Sequence, residues 1–270
     1  MTRVISGAVL VAIAVAVVWF APAALFFAVA ETLLILAFVE YAGLARASGV
    51  PIPTVAAGAA TVLASIGVTS TRWMGDEVVG TAIALDAILM TASVVLATLA
   101  MIGWRGDRDA VSRASAAIFP MLYLGLPIGA MVALRALRGR EALFLLLLTV
   151  MVSDTAQYYS GRAFGRRPLA SAISPNKTIE GAVGGFIGGA LVLVVAGRWW
   201  LPAMPIALRA LVGVALCALG IAGDLFESML KRSAGVKDSS ALIPGHGGVL
   251  DRIDALLFAA PIYYVVLKYV

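Results

Sequence analysis

Apolar residues run through this chain in long blocks separated by short polar joints. Stretches long enough to span a bilayer as helices fall near residues 4 to 20, 24 to 44, 53 to 70, 78 to 102, 115 to 134, 141 to 161, 179 to 197, 206 to 230 and 250 to 269. The expected fold is therefore all-α: a polytopic integral membrane protein of about nine transmembrane helices. Pro120 and Pro127 interrupt the fifth stretch and polar residues end the sixth, so kinked or partly re-entrant helices are expected there.

Composition excludes a soluble globular protein: 62% of residues are hydrophobic and 13% charged, with a mean hydropathy of +1.01. With nine spans, thirteen Lys and Arg residues fall on the side of the N-terminus and seven on the other. The positive-inside rule then places the N-terminus and the even-numbered loops in the cytoplasm. Residues Met1 to Ala23 loosely imitate a cleavable signal, but their long apolar core reads better as a first transmembrane helix. The single cysteine, Cys217, lies in an apolar span and carries no redox information. A net charge of +5 spread over the loops argues against nucleic-acid binding and suits a membrane with anionic lipids.

Chemistry concentrates in two polar joints. The first runs from Ser228 to Asp254 and holds Lys231, Arg232, Lys237 and Arg252 with Asp238, Asp251, Asp254 and the only histidine, His246. The cations suit phosphate groups. Asp251 and Asp254, three apart on a helix, can present carboxylates to one divalent ion, for which magnesium is expected. His246-Gly247-Gly248 reads as a tight turn able to fold close to a phosphate, with His246 in turn structure or phosphate contact, not proton abstraction. Just upstream, Asp224 and Glu227 share a helix face with Ser228 and Lys231; Asp224 reads as a metal ligand and Glu227 as an ion-pair partner of Lys231. A basic loop flanked by two helix caps is the plain alternative. Carboxylates inside apolar helix starts argue against it, because they are costly there unless paired or metal-bound. Glu31, Glu40 and Asp86 are also expensive in lipid; Glu40 could support the site from the cytoplasmic end of its span, and the other two suggest no partner.

The second joint runs from Ser153 to Gly181. Ser174-Pro175-Asn176-Lys177-Thr178 followed by Glu180 fits an ordinary capped helix start, with Thr178 or Ser174 capping. It equally fits phosphate binding, since amides, helix dipole and ammonium converge there. It lacks the glycines of a P-loop. Gly181, Gly184, Gly185, Gly188 and Gly189 follow at spacings that let helices pack closely in lipid.

Both joints resemble the phosphatidate cytidylyltransferase family, the CDP-diacylglycerol synthases. The first matches that family's signature through Ser228, Leu230, Lys231-Arg232, Lys237-Asp238, Ser240, Ile243-Pro244, His246-Gly247-Gly248 and Asp251-Arg252-Ile253-Asp254. The second matches its Ser-Asp-Thr, Gly-Arg-x-Phe-Gly and Ser-Pro-x-Lys-Thr-x-Glu-Gly elements, departing at Gln157, where a small residue is usual, and at Asn176, where a second lysine is usual. The resemblance implies transfer of a cytidylyl group from CTP to phosphatidic acid, giving CDP-diacylglycerol and pyrophosphate. It implies catalytic roles for Asp224, Lys231, Arg232, Lys237, Asp238, His246, Asp251, Arg252 and Asp254, with Mg2+ on Asp224, Asp251 and Asp254. Asp154, Ser174, Lys177, Thr178, Glu180 and Ser228 would bind substrate. It further implies a homodimer in the inner membrane of a bacterium, residues 1–140 supplying N-terminal helices and residues 141–270 the catalytic region. A CTP-dependent lipid-alcohol kinase and a polytopic transporter are the competing readings.

Overall fold

A computed structural model describes residues 2–73, 85–104, 106, 108–243, 245 and 247–270. His246 and Pro244, and the start of the fourth apolar stretch, lie outside the described residues. The helices are α1 (Thr2–Phe20), α2 (Ala23–Ala47), α3 (Thr54–Trp73), α4 (Leu85–Ile102), α5 (Ala110–Pro120), α6 (Leu126–Phe164), α7 (Ile179–Val195), α8 (Gly197–Trp200), α9 (Ile206–Ser233) and α10 (Leu250–Tyr269). Among the described residues, five helical stretches are long and apolar enough to cross a membrane, and Gly7–Phe20 and Thr54–Ser70 are shorter apolar helices.

The fifth and sixth apolar stretches form one continuous helical segment. A π-helical turn at Met121–Gly125 joins α5 to α6 where Pro120 and Pro127 deprive the backbone of two amide donors. The segment turns at Gly139, whose φ of 83° and ψ of 174° are not helical. Its course follows from its contacts. Tyr41, near the C-terminal end of α2, donates to Ala116 O at 3.0 Å. Arg135 donates to Ala21 O at 2.6 Å and Arg138 to Leu267 O at 2.8 Å, at the opposite ends of α2 and α10. The chain thus reaches the far end of the bundle at Gly139 and returns along the second arm of α6. Arg135, Arg138 and Arg140, a loop by their charge, here supply donors to the last carbonyls of α1 and α10.

One element departs from the all-α expectation. Pro168–Ala170 (β1) pairs antiparallel with Ser174–Thr178 (β2), placing Pro168 opposite Thr178 and Ala170 opposite Ser174. Thr178 ends the hairpin and caps α7 by accepting the Gly181 amide at 3.1 Å.

The second arm of α6 packs with α7, α9 and α10 around the site. Small residues make this approach possible: a Cβ on Gly185 would lie 2.5 Å from Gln157 Cγ, and one on Gly188 would lie 2.9 Å from Ala156 Cβ. Tyr123, Phe119, Phe226 and Phe258 lock the π-helical turn against α9 and α10 through ring pairs 5.2–6.3 Å apart.

Candidate active site

A cleft of about 1270 Å3 opens where the C-terminal arm of α6, the hairpin, the end of α9 and the start of α10 meet. It has two chemically distinct ends. Val17 of α1, Phe26, Val29 and Leu33 of α2, and Met131 and Leu147 of α6 line the apolar end. Asp154, Ser174, Lys177, Thr178, Asp224, Ser228, Lys231, Arg232, Lys237, Asp238, Asp251, Arg252 and Asp254 line the polar end. Thirteen of the fifteen residues singled out by the two motifs therefore converge on one space.

His246 lies outside the described residues. Glu180 turns away from the cleft and accepts the Arg166 and Arg167 amides at 3.0 and 3.2 Å. It fixes the entry to the hairpin from the first turn of α7.

The polar end is held by two lysine-centred links. Lys177, at the end of β2, is paired with Asp224 of α9, which also accepts Ser228 Oγ at 3.4 Å. Lys231 is paired with Glu227 one turn below it and donates to Asp251 Oδ1 at 2.5 Å, joining α9 to α10. The two links differ in access: the Asp224 side chain is 34% exposed, Asp251 4% and Glu227 fully buried. Asp251 Oδ2 also accepts the Ser239 amide at 2.9 Å, the Ser239 hydroxyl at 2.7 Å and the Gly248 amide at 2.8 Å. Its carboxylate thus closes the loop between α9 and α10 on itself. Gly247 supports that closure with φ of 77°, in the left-handed region that favours glycine.

Asp254 lines the cleft and, among the described residues, accepts only the following amide, Ala255 N, at 2.8 Å. Asp154 accepts Gln157 Nε2 at 3.2 Å, and the same amide group lies 3.3 Å from Ser153 Oγ. The departure at Gln157 therefore places an amide donor on Asp154. Asn176, the other departure, lines the cleft beside Lys177.

Asp154, Asp224 and Asp254 give the cleft hard oxygen donors of the kind magnesium takes, beside cations suited to phosphates. Among the described residues, no three His, Cys, Asp or Glu side chains form a metal cage by themselves.

Ser239, which the motifs do not name, and Glu40, expected to support the site from the end of its span, are both built into it. Ser239 bridges Asp251 and Glu40, donating to Glu40 Oε2 at 3.0 Å. Glu40, buried on α2, also accepts Ser240 Oγ at 2.7 Å, Val249 N at 3.0 Å and Leu250 N at 2.7 Å. The only sequence signal for it was the cost of a carboxylate in an apolar helix.

The sequence model of the Cytidylyltransferase family matches residues 1–270, the whole chain. The chain belongs to that family. A phosphatidate cytidylyltransferase of Haemophilus influenzae is 49% identical over 131 residues, 46% of this chain and 45% of its own length. One from Staphylococcus haemolyticus is 31% identical over 218 residues, 81% of this chain and 80% of its own. The uncharacterized protein YnbB of Escherichia coli is 42% identical over 127 residues, 47% of this chain and 42% of its own. The chain spans about half the length of several of the curated relatives it matches.

Proposed function

We propose that this cytidylyltransferase-family protein is a phosphatidate cytidylyltransferase, moving CMP from CTP to phosphatidic acid. The observation that carries the reading is the cleft itself, apolar at one end and crowded with cations and carboxylates at the other. A double-chained lipid phosphate and a nucleotide triphosphate need that combination in a single space. The names carried by the relatives from Haemophilus influenzae and Staphylococcus haemolyticus support it.

In this reaction an oxygen of the lipid phosphate attacks the α-phosphorus of CTP. The bond from that phosphorus to the oxygen bridging it to the β-phosphate breaks, and pyrophosphate leaves with the electron pair. Both reactants are anions, so the first task is charge neutralisation. Lys177 sits where exposed amides of α7 and its own ammonium converge, and is assigned to the nucleotide phosphates. Lys237, Arg232 and Arg252 line the remaining polar wall and balance the lipid phosphate and the departing pyrophosphate. The attacking phosphate is already ionised, so no strong general base is required of the protein. Asp224 and Asp254 are assigned to hold Mg2+, which when bound supplies Lewis-acid stabilisation of the phosphoryl oxygens. Asp251, with both oxygens engaged, holds Lys231 and the loop.

The same reading includes nine membrane crossings, with Gly139 as the far-side turn of the fifth and sixth, and the polar mouth of the cleft on the cytoplasmic side of a bacterial inner membrane. The excess of Lys and Arg in the loops on that side supports the orientation. A homodimer is retained as a proposal from the family resemblance. The test is product analysis with CTP labelled separately at the α and γ positions and vesicles that contain both phosphatidate and a lipid alcohol. Label entering the lipid from the α position supports cytidylyl transfer. Label entering from the γ position would make the protein a lipid kinase.

A further inference from the structure

A carboxylate on α2 grips the loop between α9 and α10 from outside both motifs. Glu40 uses one oxygen for Ser240 Oγ and Val249 N, at 2.7 and 3.0 Å, and the other for Ser239 Oγ and Leu250 N, at 3.0 and 2.7 Å. Val249, at the start of α10, has no side-chain cap of its own, so Glu40 occupies the place of a cap although it is about two hundred residues away in the chain. A carboxylate at a helix start also meets the positive end of the helix dipole. Gly248 is accommodated for the same reason: a Cβ there would run into the Glu40 carboxylate and Ser239 Oγ.

This grip is continuous with the site. Glu40 and Asp251 share the Ser239 hydroxyl as a common donor; Asp251 takes Lys231; and Lys231 is paired with Glu227. Glu40 touches none of the residues assigned to nucleotide phosphates, and it does not line the cleft. The other carboxylate on the same helix, Glu31, is also buried but, among the described residues, accepts nothing from the loop; it accepts Ser65 Oγ of α3 at 2.7 Å. Two buried carboxylates on one helix are thus used differently, and only one reaches the reaction site.

We infer that Glu40 is a positioning residue for the transfer reaction. It preorganises the loop from Lys237 to Asp251, so that the Lys231–Asp251 link and Asp254 are set before substrate arrives. This rests on the proposed cytidylyl transfer for its kinetic consequence, but its structural consequence is independent of any substrate. A fixed loop is worth most in the transition state, where a small displacement of charged groups costs rate more than binding. Glu40→Gln replaces one acceptor oxygen by an NH2 group facing donors, and leaves the shape of the side chain intact.

The experiment compares Glu40→Gln with Glu31→Gln in purified full-length protein, reading hydrogen exchange of the Val249 and Leu250 amides and steady-state kinetics with CTP and phosphatidate. Glu40→Gln is expected to raise exchange at those two amides at least about tenfold and to lower kcat about tenfold or more, with the KM for CTP changing less than about threefold. Glu31→Gln should leave both amides protected and the kcat to KM balance unchanged. If Glu40→Gln does not fold, the double variant Ser239→Ala/Ser240→Ala removes the hydroxyl half of the grip and must show the same pattern. Unchanged exchange at Val249 and Leu250 in the folded variant overturns the inference, as does an increase in KM with kcat preserved. Absence of cytidylyl transfer in the unaltered protein refutes the functional reading alone, since the exchange result still decides whether Glu40 holds the loop.

Discussion

Asp251 and Asp254 stand one turn apart at the start of α10, yet their surroundings are opposite. Asp251 is enclosed by one ammonium, one hydroxyl and two amides, and joins three parts of the chain. Asp254 faces the cleft and, among the described residues, has only the amide of the next residue for a protein donor. Spacing alone makes them equivalent candidates for one metal ion. Their partners divide the labour: a carboxylate already saturated by fixed donors is an architectural clamp, and one left with free lone pairs is available to a cation. Asp224 falls between, linked to Lys177 but a third exposed.

That contrast breaks most visibly on substitution. Asp254→Asn removes a charge from the cleft without cutting a link between helices. Turnover should fall by about three orders of magnitude or more, as expected for lost transition-state charge stabilisation, while the thermal midpoint in detergent stays within a few degrees. Asp251→Asn should lose turnover too, but with a loss of stability of about 1–3 kcal/mol, because Lys231, still paired with Glu227, and the Ser239 and Gly248 amides lose a charged acceptor. Equal midpoints for the two variants would erase the distinction.

Lys177→Ala should lower kcat by about a hundredfold, a loss of about 2.7 kcal/mol of barrier stabilisation. Arg166→Ala should change kcat less than about twofold, because the structural contact of Arg166 with Glu180 is made by its backbone amide, which the substitution keeps. Equal effects from both would return Lys177 to the role of an ordinary helix-start residue. The smallest effect expected is that of Gln157→Ala. It releases Asp154 from its amide partner and should cost no more than about fivefold in kcat/KM, on the order of 1 kcal/mol for one hydrogen bond.

The bilayer-length apolar blocks made the helices readable, since each had to satisfy its own backbone in lipid. The join of the fifth and sixth blocks was hidden because Arg135, Arg138 and Arg140 resemble a solvated loop, while in the fold their guanidinium groups meet backbone carbonyls. The hairpin was hidden for another reason: Ser174–Thr178 has no alternation of apolar and polar residues, and only pairing with Pro168–Ala170 makes it a strand. In the site, residue types announced a cluster of cations and carboxylates, but not which aspartate was held by protein donors. That depended on Ser239 and Gly248 folding back on Asp251, and on Glu40 arriving from α2. Contacts across such a sequence distance leave no local pattern.

Paramagnetic manganese, titrated as a probe for magnesium onto the CTP complex of the folded protein, tests the division between the two aspartates most directly. The account predicts that Asp254→Asn and Asp224→Asn weaken manganese binding at least about tenfold, whereas Asp251→Asn, corrected for the folded fraction, binds it as the unaltered protein does. Manganese binding lost in Asp251→Asn and retained in Asp254→Asn would contradict it.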